Sequence, residues 1–390
     1  MSKNIINVSQ AQHSNFPKNL THSTIVIASQ NSFSFGSQSI IDLKVRNIKI
    51  HELILNFNTN ACSGVTSNGT YPYLNSAFSF FQKLEILING QVMDTIYADS
   101  NFLLNQLFYC DEQRLLNNYA AGSYTNIASR YTLTNTNNSN WYVNLKSLFN
   151  QCHFALLSTS HEVQLRITMQ PLANVINQGA LVGTPVVNIN SVSLLARVTN
   201  LDIPTSNQLL LSMNKTPLTN RFLSTRYMMI TQQAGVTNTT IVMTSIVGNI
   251  HSLYFVVRPV SGLTGSTQYT YTPILNFQIL DSAGSNINGG TVIPSSFNLL
   301  QQQKWWCQST FPAESFTGVN QSNVYMYSFS VDPISSHANG SNYSSRRFSG
   351  NEQLLINFTT ALASVYQIDL FAMVESGIQQ SATACQLISI

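Results

Sequence analysis

Charge is what this sequence has least of. Asp, Glu, Lys and Arg make up 8% of its 390 residues, against roughly 25% in ordinary soluble domains. Asn, Ser, Thr and Gln fill the gap, so the surface is polar but weakly charged. Such a surface can be covered over large areas by neighbours without stranding many ions, which is costly. The net charge of +3 provides no strong field for nucleic acid and predicts no sequence-specific binding to it. Before Asp42 there are Lys3 and Lys18 and no acidic residue, a mildly basic arm unlike an arginine-rich packaging arm. Cysteine is sparse and scattered (Cys62, Cys110, Cys152, Cys307 and Cys385), with no C-x-x-C spacing. That excludes the usual zinc pattern, and the odd count argues against a disulfide framework. Free thiols and a reducing compartment are expected. Met1 to Gln12 is polar, unlike a secretory signal, and no run of 18 apolar residues is present to cross a bilayer as a helix.

Catalytic motifs are also missing. His51-Glu52 and His161-Glu162 begin like H-E-x-x-H, but the fifth positions are Leu55 and Leu165. The motif needs two histidines one helical turn apart, and both stretches alternate like strands. The expectation is that these pairs face solvent or a subunit neighbour. Gly284 to Thr291 misses a phosphate-binding loop because Gly290 stands where the lysine is required. No G-x-S-x-G elbow occurs, no H-x-H pair suggests a metal site, and no carboxylate pair stands out. No residue is therefore nominated as catalytic, cofactor-binding or metal-ligating, and no cofactor is expected. Trp305-Trp306, beside Phe297 and Leu299-Leu300, reads as core or inter-subunit packing rather than a stacking platform for a ligand. Arg346-Arg347 reads as solvated or hydrogen-bonded to nearby carbonyls.

What the chain does have is alternation, and it has it twice. Ile41, Leu43 and Val45, then Ile48, Ile50, Leu53, Leu55 and Phe57, place apolar residues on one face of extended chain. Thr24–Phe35 alternates loosely before them. Phe80–Ile88 and Gln91–Tyr97 flank Asn89-Gly90, a pair suited to the positive φ of a tight hairpin. Asn101–Asn118 fits a helical stripe, with Ser100 or Asn101 as cap. Trp141–Leu148, Glu162–Met169 and Asn190–Leu201 complete the first series. From Arg221 the order repeats. Thr239–Val257, ending in Leu253–Val257, corresponds to Ile40–Phe57. Phe277-Gln278-Ile279-Leu280 corresponds to Leu84-Glu85-Ile86-Leu87. Ser296–Cys307 corresponds to the helical stretch, and Val324–Val331, Gln353–Thr359 and Ser364–Val374 to the later strands. Repetition on this scale means two domains rather than a small-unit solenoid. About eight short strands in each half suit Greek-key sandwiches of the jelly-roll kind, which manage exposed strand edges. The predicted fold is all-β: two tandem eight-stranded jelly-roll barrels with short helices in the loops. The expected boundaries are an arm over 1–23, a first jelly roll over 24–202, a linker over 203–220, a second jelly roll over 221–378 and a tail over 379–390.

The C-terminal stretch adds a resemblance. Val324 to Asp332-Pro333 leads into Gly340-Ser341-Asn342-Tyr343-Ser344, followed by Leu354 to Phe358 and Val365 to Ala372. This resembles the second barrel of double jelly-roll major capsid proteins, and Phe149–Thr168 and Val192–Pro204 resemble parts of the first. The lineage includes tailless membrane-containing icosahedral phages, adenovirus hexons, and large and polinton-like DNA viruses. The resemblance covers roughly residues 24–378 and rests on pattern and order more than on identities. It implies a non-enzymatic protein forming pseudo-hexagonal homotrimeric capsomers that tile an icosahedral shell. Its implied partners are itself, neighbouring capsomers, penton and minor capsid proteins, and an internal membrane. The implied location is the virion capsid, after assembly in the host cell interior. Loops over Gly122–Asn140, Ala173–Val187 and Ser261–Pro273 would form outward towers, and Ser376–Ile390 would lie inside or tie capsomers together. A receptor- or glycan-binding β-sandwich spike is the alternative reading.

Overall fold

The computed structural model describes residues 21–29, 31–66, 72–108, 111–123, 127–152, 154–157, 161–177, 182–260, 269, 271–288, 293–294, 323–330 and 345–388. The first half supplies eight principal strands. They are β1 (Thr21–Ala28), β2 (Gln38–Leu43), β3 (Ile48–Thr59), β4 (Phe81–Ile88), β5 (Gln91–Tyr97), β6 (Ser139–Leu145), β7 (Val163–Met169) and β8 (Ile189–Asn200). They form two antiparallel sheets, a long one in the order β1-β8-β3-β6 and a short one in the order β2-β7-β4-β5. The second half supplies β9 (Leu218–Gln232), β10 (Asn238–Val242), β11 (Val247–Pro259), β12 (Asn276–Leu280), β13 (Ile293–Pro294), β14 (Tyr325–Ser328), β15 (Gln353–Asn357) and β16 (Tyr366–Gln380). Their long sheet runs β9-β16-β11-β14 and their short sheet β10-β15-β12-β13. Strand for strand the two orders are the same, and each is a jelly roll. The two-barrel prediction holds.

The correspondence extends to single residues. Where β3 pairs with β8, Ile50 faces Val198 and Glu52 faces Arg197, so His51 is skipped as a bulge. Where β11 pairs with β16, Ile250 faces Val374 and Ser252 faces Met373, so His251 is skipped in the same way. Ile86 faces Leu165, which faces Ile41. Ile279 faces Leu354, which faces Ile241. The bulged histidines and these ladders define equivalent positions in the two barrels.

Each barrel closes over alternating inward side chains. In the first, Ile41, Leu53, Leu55, Phe57, Ile86, Trp141, Leu165 and Leu194 are fully or almost fully buried. In the second, Ile241, Leu253, Phe255, Phe277, Ile279, Leu354 and Leu370 do the same work. Asn89 (φ 52°) and Gly90 (φ 79°) make the β4–β5 hairpin turn, the left-handed pair that matches strand twist.

Helices occupy the connections: α1 (Ala98–Phe108), α2 (Asp111–Ala120), α3 (Ile127–Thr134), α4 (Leu148–Gln151), α5 (Leu172–Val175) and α6 (Ile203–Lys215). The expected helical stretch is thus two helices, and neither Ser100 nor Asn101 caps it. Both lie inside α1, where their side chains bond elsewhere. Gly122, just past α2 at φ 74°, lies against the Trp141 ring so closely that a Cβ would collide with it. The polar excursion over Gly122–Asn140 contains α3. Within Ala173–Val187, Ile176–Asn177 pairs with Tyr73–Leu74 and Val182–Val186 with Ser63–Thr66.

Three expectations at element ends differ from the structure. Thr21 to Ser23, read as arm, open β1 and pair with β8. The stretch 203–220, read as linker, is mostly helix: Asp202 caps α6 by accepting from the Thr205 N–H at 2.8 Å, with Pro204 in the first turn, where proline is favoured. Ser376 to Gln380 continue β16, and Cys385–Ile388 folds back on it as a hairpin. The tail therefore packs on its own chain: Gln380 is fully buried and its amide donates to the Ala155 carbonyl at 2.6 Å.

The seam between the barrels as candidate functional site

The second barrel does not leave its long sheet open. Along β11, every residue from Ile250 to Arg258 is buried, and along β16 the run from Gln367 to Ile378 is buried throughout. The reading of Leu253–Val257 as a strongly alternating strand is corrected accordingly. Leu253, Phe255 and Val257 point into their own barrel, whereas Tyr254 and Val256 join the core of the first barrel. A strand covered on both faces has no need of polar positions.

The outward face of this sheet carries a row of rings across three strands. Tyr227 faces Phe371 and Phe371 faces Tyr254. The ring centroids are 5.0 Å and 5.3 Å apart, with near-parallel planes. The first barrel receives this row with β5 and α1. Tyr97 packs on Tyr227 at 4.9 Å, Phe102 stacks on Tyr269 at 4.0 Å, and the Ser100 hydroxyl bonds the Tyr254 hydroxyl at 2.7 Å. At the end of α4, the Gln151 side chain donates to the Leu223 carbonyl at 3.2 Å and accepts from the Leu223 N–H at 2.7 Å. It thereby satisfies two backbone groups of β9.

The rest of the seam is ionic. Arg258, 5% exposed, donates a hydrogen bond to Asp99 of α1 at 2.6 Å and forms an ion pair with Asp369 of β16 at 2.8 Å. Tyr227 and Gln367 both donate to the other Asp369 oxygen, at 2.7 and 2.6 Å. Burial opposes the Arg258 charge, but the two carboxylates outweigh it and raise its pKa. Burial pushes Asp369 up, with Asp99 adding to it and Arg258 opposing. One guanidinium between two carboxylates leaves a surplus negative charge, and the fully buried Asp369 feels it most. A cavity of about 340 Å³ opens beside this cluster, between Lys83, Tyr97, Asp99, Tyr227 and Arg258. The groups available there can hold two barrels in one orientation.

The stretches singled out from the sequence do not gather at this seam. His51 is half-buried on the outer face of the first long sheet and bonds Thr199 Oγ1 at 2.6 Å. Burial and the nearby Lys49, His22 and Arg197 depress its pKa. Glu52 accepts from Asn144 at 2.6 Å. His161 corrects its expectation: it is fully buried and bonds the Ser381 carbonyl at 2.7 Å, tying the first barrel to the C-terminal hairpin. Glu162 is exposed. Arg346 and Arg347 are exposed on the short strand Arg346–Ser349, which pairs with β11. In the loop from Gly284, Asp281 Oδ1 accepts from the Ala283 and Ser285 N–H groups, making an ordinary Asx turn. Cys62, Cys152 and Cys385 carry free thiols. Among the described residues no group of three His, Cys, Asp or Glu could hold a metal ion, and no helix is long and apolar enough to cross a membrane. Trp305-Trp306, the Ser296–Cys307 stretch, Cys307, the Gly340–Ser344 loop and most of Ser261–Pro273 lie outside the described residues.

Sequence reasoning missed Asp99, Tyr227, Tyr254, Arg258, Asp369 and Phe371. A signal was present. Leu253-Tyr254-Phe255-Val256-Val257 and Leu370-Phe371-Ala372-Met373-Val374 are apolar at both odd and even positions, the mark of a strand buried on two faces.

No protein-family model matches the chain, and no curated protein shows significant similarity to it. Solved structures do. PBCV-1 VP54, fitted into a reconstruction of the virophage Sputnik, is 16% identical with a TM-score of 0.67, covering 96% of this chain and 98% of that one. The Faustovirus major capsid protein is 7% identical with a TM-score of 0.67, covering 94% and 92%. The mavirus major capsid protein is 9% identical with a TM-score of 0.53, covering 96% and 90%. At these identities the likeness is one of fold, the double jelly roll, and it spans nearly the whole of each chain.

Proposed function

We propose that this chain is a viral major capsid protein, three copies of which form a pseudo-hexagonal capsomer in an icosahedral shell. The carrying observation is the duplication itself. Two barrels of identical strand order are locked side by side by a buried seam, so one chain supplies two of six similar corners. The likeness in fold to capsid proteins along almost the full chain supports the same reading. So does the weakly charged surface, which can be covered by neighbours at little electrostatic cost. The role is structural and non-enzymatic. The division into arm, two jelly rolls, linker and tail belongs to this reading, with α6 as the ordered part of the linker. Further partners are neighbouring capsomers, penton and minor capsid proteins and an internal membrane, and the location is the virion, after assembly in the host cell interior. The spike or adhesin alternative has no counterpart among the solved structures named above.

Size-exclusion chromatography with light scattering tests the reading. The expected particle has three times the mass of the 43.2 kDa chain, with a six-cornered outline in negative stain. A monomer persisting at high concentration overturns it.

A further inference from the structure

The first long sheet (β1, β8, β3 and β6) contains one acidic residue, Glu52, against the basic His22, Lys49, His51 and Arg197. In a chain so poor in charge this is a concentration, and strand pairing draws it together. His22 of β1 faces Thr199 of β8, which faces Lys49 of β3, so the three share one rung of the outer face. The skipped His51 turns to the same point. His22 Nδ1 lies 2.9 Å and His51 Nε2 2.6 Å from the Thr199 hydroxyl, with the ring centroids 6.0 Å apart. Arg197, two residues before Thr199 on the same face, has a side chain 69% exposed. Thr199 is buried beneath the cluster, whereas His22 is exposed and Lys49 and His51 are half-buried. Glu52, the carboxylate of these strands, is already engaged. It lies 4.0 Å from Arg197, accepts from Asn144 at 2.6 Å, and offsets part of the burial that lowers the Lys146 pKa.

The second barrel shows what this rung can hold. Ile250 faces Val374 as Ile50 faces Val198, so Asn249 and Glu375 stand where Lys49 and Thr199 do. There the Asn249 amide donates to the Glu375 carboxylate at 3.5 Å. The second barrel thus carries its own oxyanion on the rung, beside a neutral donor. The first has a hydroxyl in that place and cationic groups around it. We propose that this rung of the first barrel is an anion site, where His22, Lys49, His51 and Arg197 hold a doubly charged tetrahedral oxyanion such as inorganic phosphate. Donors reach it from three strands, which suits four oxygens spread in space better than the two of a carboxylate. The guanidinium of Arg197 can span two of them and Lys49 acts as a point charge. The second nitrogen of each imidazole becomes a donor when the ring is protonated. Burial depresses the pKa of His51, and Lys49, His22 and Arg197 add to it, so an anion here relieves a repulsion already present. Two imidazoles could also meet a transition metal, but a metal ion would face Lys49 and Arg197, so the charge of the cluster selects an anion.

The test titrates inorganic phosphate with the full chain at pH 7 and low salt, read by the phosphorus NMR line width. The expected result is saturable binding with a Kd of about 1 mM or tighter, reversed by sulfate and not by chloride at equal ionic strength. Lys49→Gln with Arg197→Gln should weaken it at least about tenfold. Arg346→Gln with Arg347→Gln removes the same charge from an exposed pair on the second barrel and should change it less than about twofold. No saturable binding overturns the site. An equal loss in the two double variants also overturns it, because the response is then to net charge alone. If the Lys49 variant fails to fold, His22→Gln at its exposed position carries the test, with binding expected to weaken about threefold. Unchanged binding in that variant overturns the site.

Discussion

The two long sheets have the same strand order, the same bulged histidine and the same inward alternation, and they differ on their outer faces. In the first barrel that face is half-open and rich in Asn, Ser and Thr. In the second it is sealed by rings and by the Arg258 cluster. Two copies of one architecture thus meet different solvents, one water and one protein. The difference shows that a jelly-roll sheet stands equally well on one buried face or two. What changes is the residue type tolerated on the outside, and hence the cost of altering it.

Replacement at equivalent positions sharpens the contrast. Arg258→Met strands Asp99 and Asp369 without their cation, and the loss is expected at the upper end of the range for broken buried pairs, about 5 kcal/mol. Asn58→Met at the matching site should stay within about 0.5 kcal/mol. Denaturant unfolding of the two variants at pH 7 checks this, and similar losses would break the comparison. Tyr254→Ala removes a buried ring and leaves the Ser100 hydroxyl without that partner, for a loss of about 4 kcal/mol.

The barrels should also differ in their response to pH. Asp94 of β5, fully enclosed and accepting from the Leu148 N–H at 2.9 Å, is pushed by burial up to about 7. Its folded pKa lies above its unfolded value, so its stability contribution is complete below about pH 4 and is lost as pH rises through 7. Asp94→Asn should therefore stabilise the protein at pH 8, by up to about 4 kcal/mol, and change little at pH 4. His251 has the opposite sign. Burial lowers its pKa to about 4, so the stability tied to its neutral form is present above about pH 6.5 and lost as pH falls towards 4. That loss is about 3 kcal/mol. Thermal melts from pH 4 to 8 should show His251→Gln flattening the acid limb, and His51→Gln, at the half-exposed equivalent, flattening it less. An equal effect from the two would mean that the bulges share an environment. A modest change, about 1 kcal/mol in the monomer, is expected from Ile54→Ala, because half of that side chain is already in solvent.

Much of the architecture was legible because strand formation follows local pattern. The spacing of Ile48, Ile50, Leu53, Leu55 and Phe57 marks β3 and even its bulge, since the step from Ile50 to Leu53 breaks the period of two. Asn89-Gly90 announced its hairpin, and the match of Ile86 with Ile279 places two residues that occupy the same rung in their barrels. Helix ends were read less well. Asp202 and Pro204 are a start signal for α6, but a proline between two strand-rich halves looks equally like a linker. The α1 start was misplaced because Ser100 and Asn101 resemble caps, whereas their side chains serve Tyr254 and the backbone of Asn144 and Lys146.

The sequence by itself determined which segments become strands, which of their faces turns inward, and that the series occurs twice. Those properties depend on side-chain alternation and on turn residues, both local. Only the tertiary structure decided that Tyr254, Phe371 and Arg258 meet the first barrel while Ile54, Leu195 and Asn58 are left towards solvent. Alternation defines an inner and an outer face, but it does not say what lies beyond the outer one. That depends on contacts between residues as far apart as Asp99 and Asp369, which no local spacing encodes.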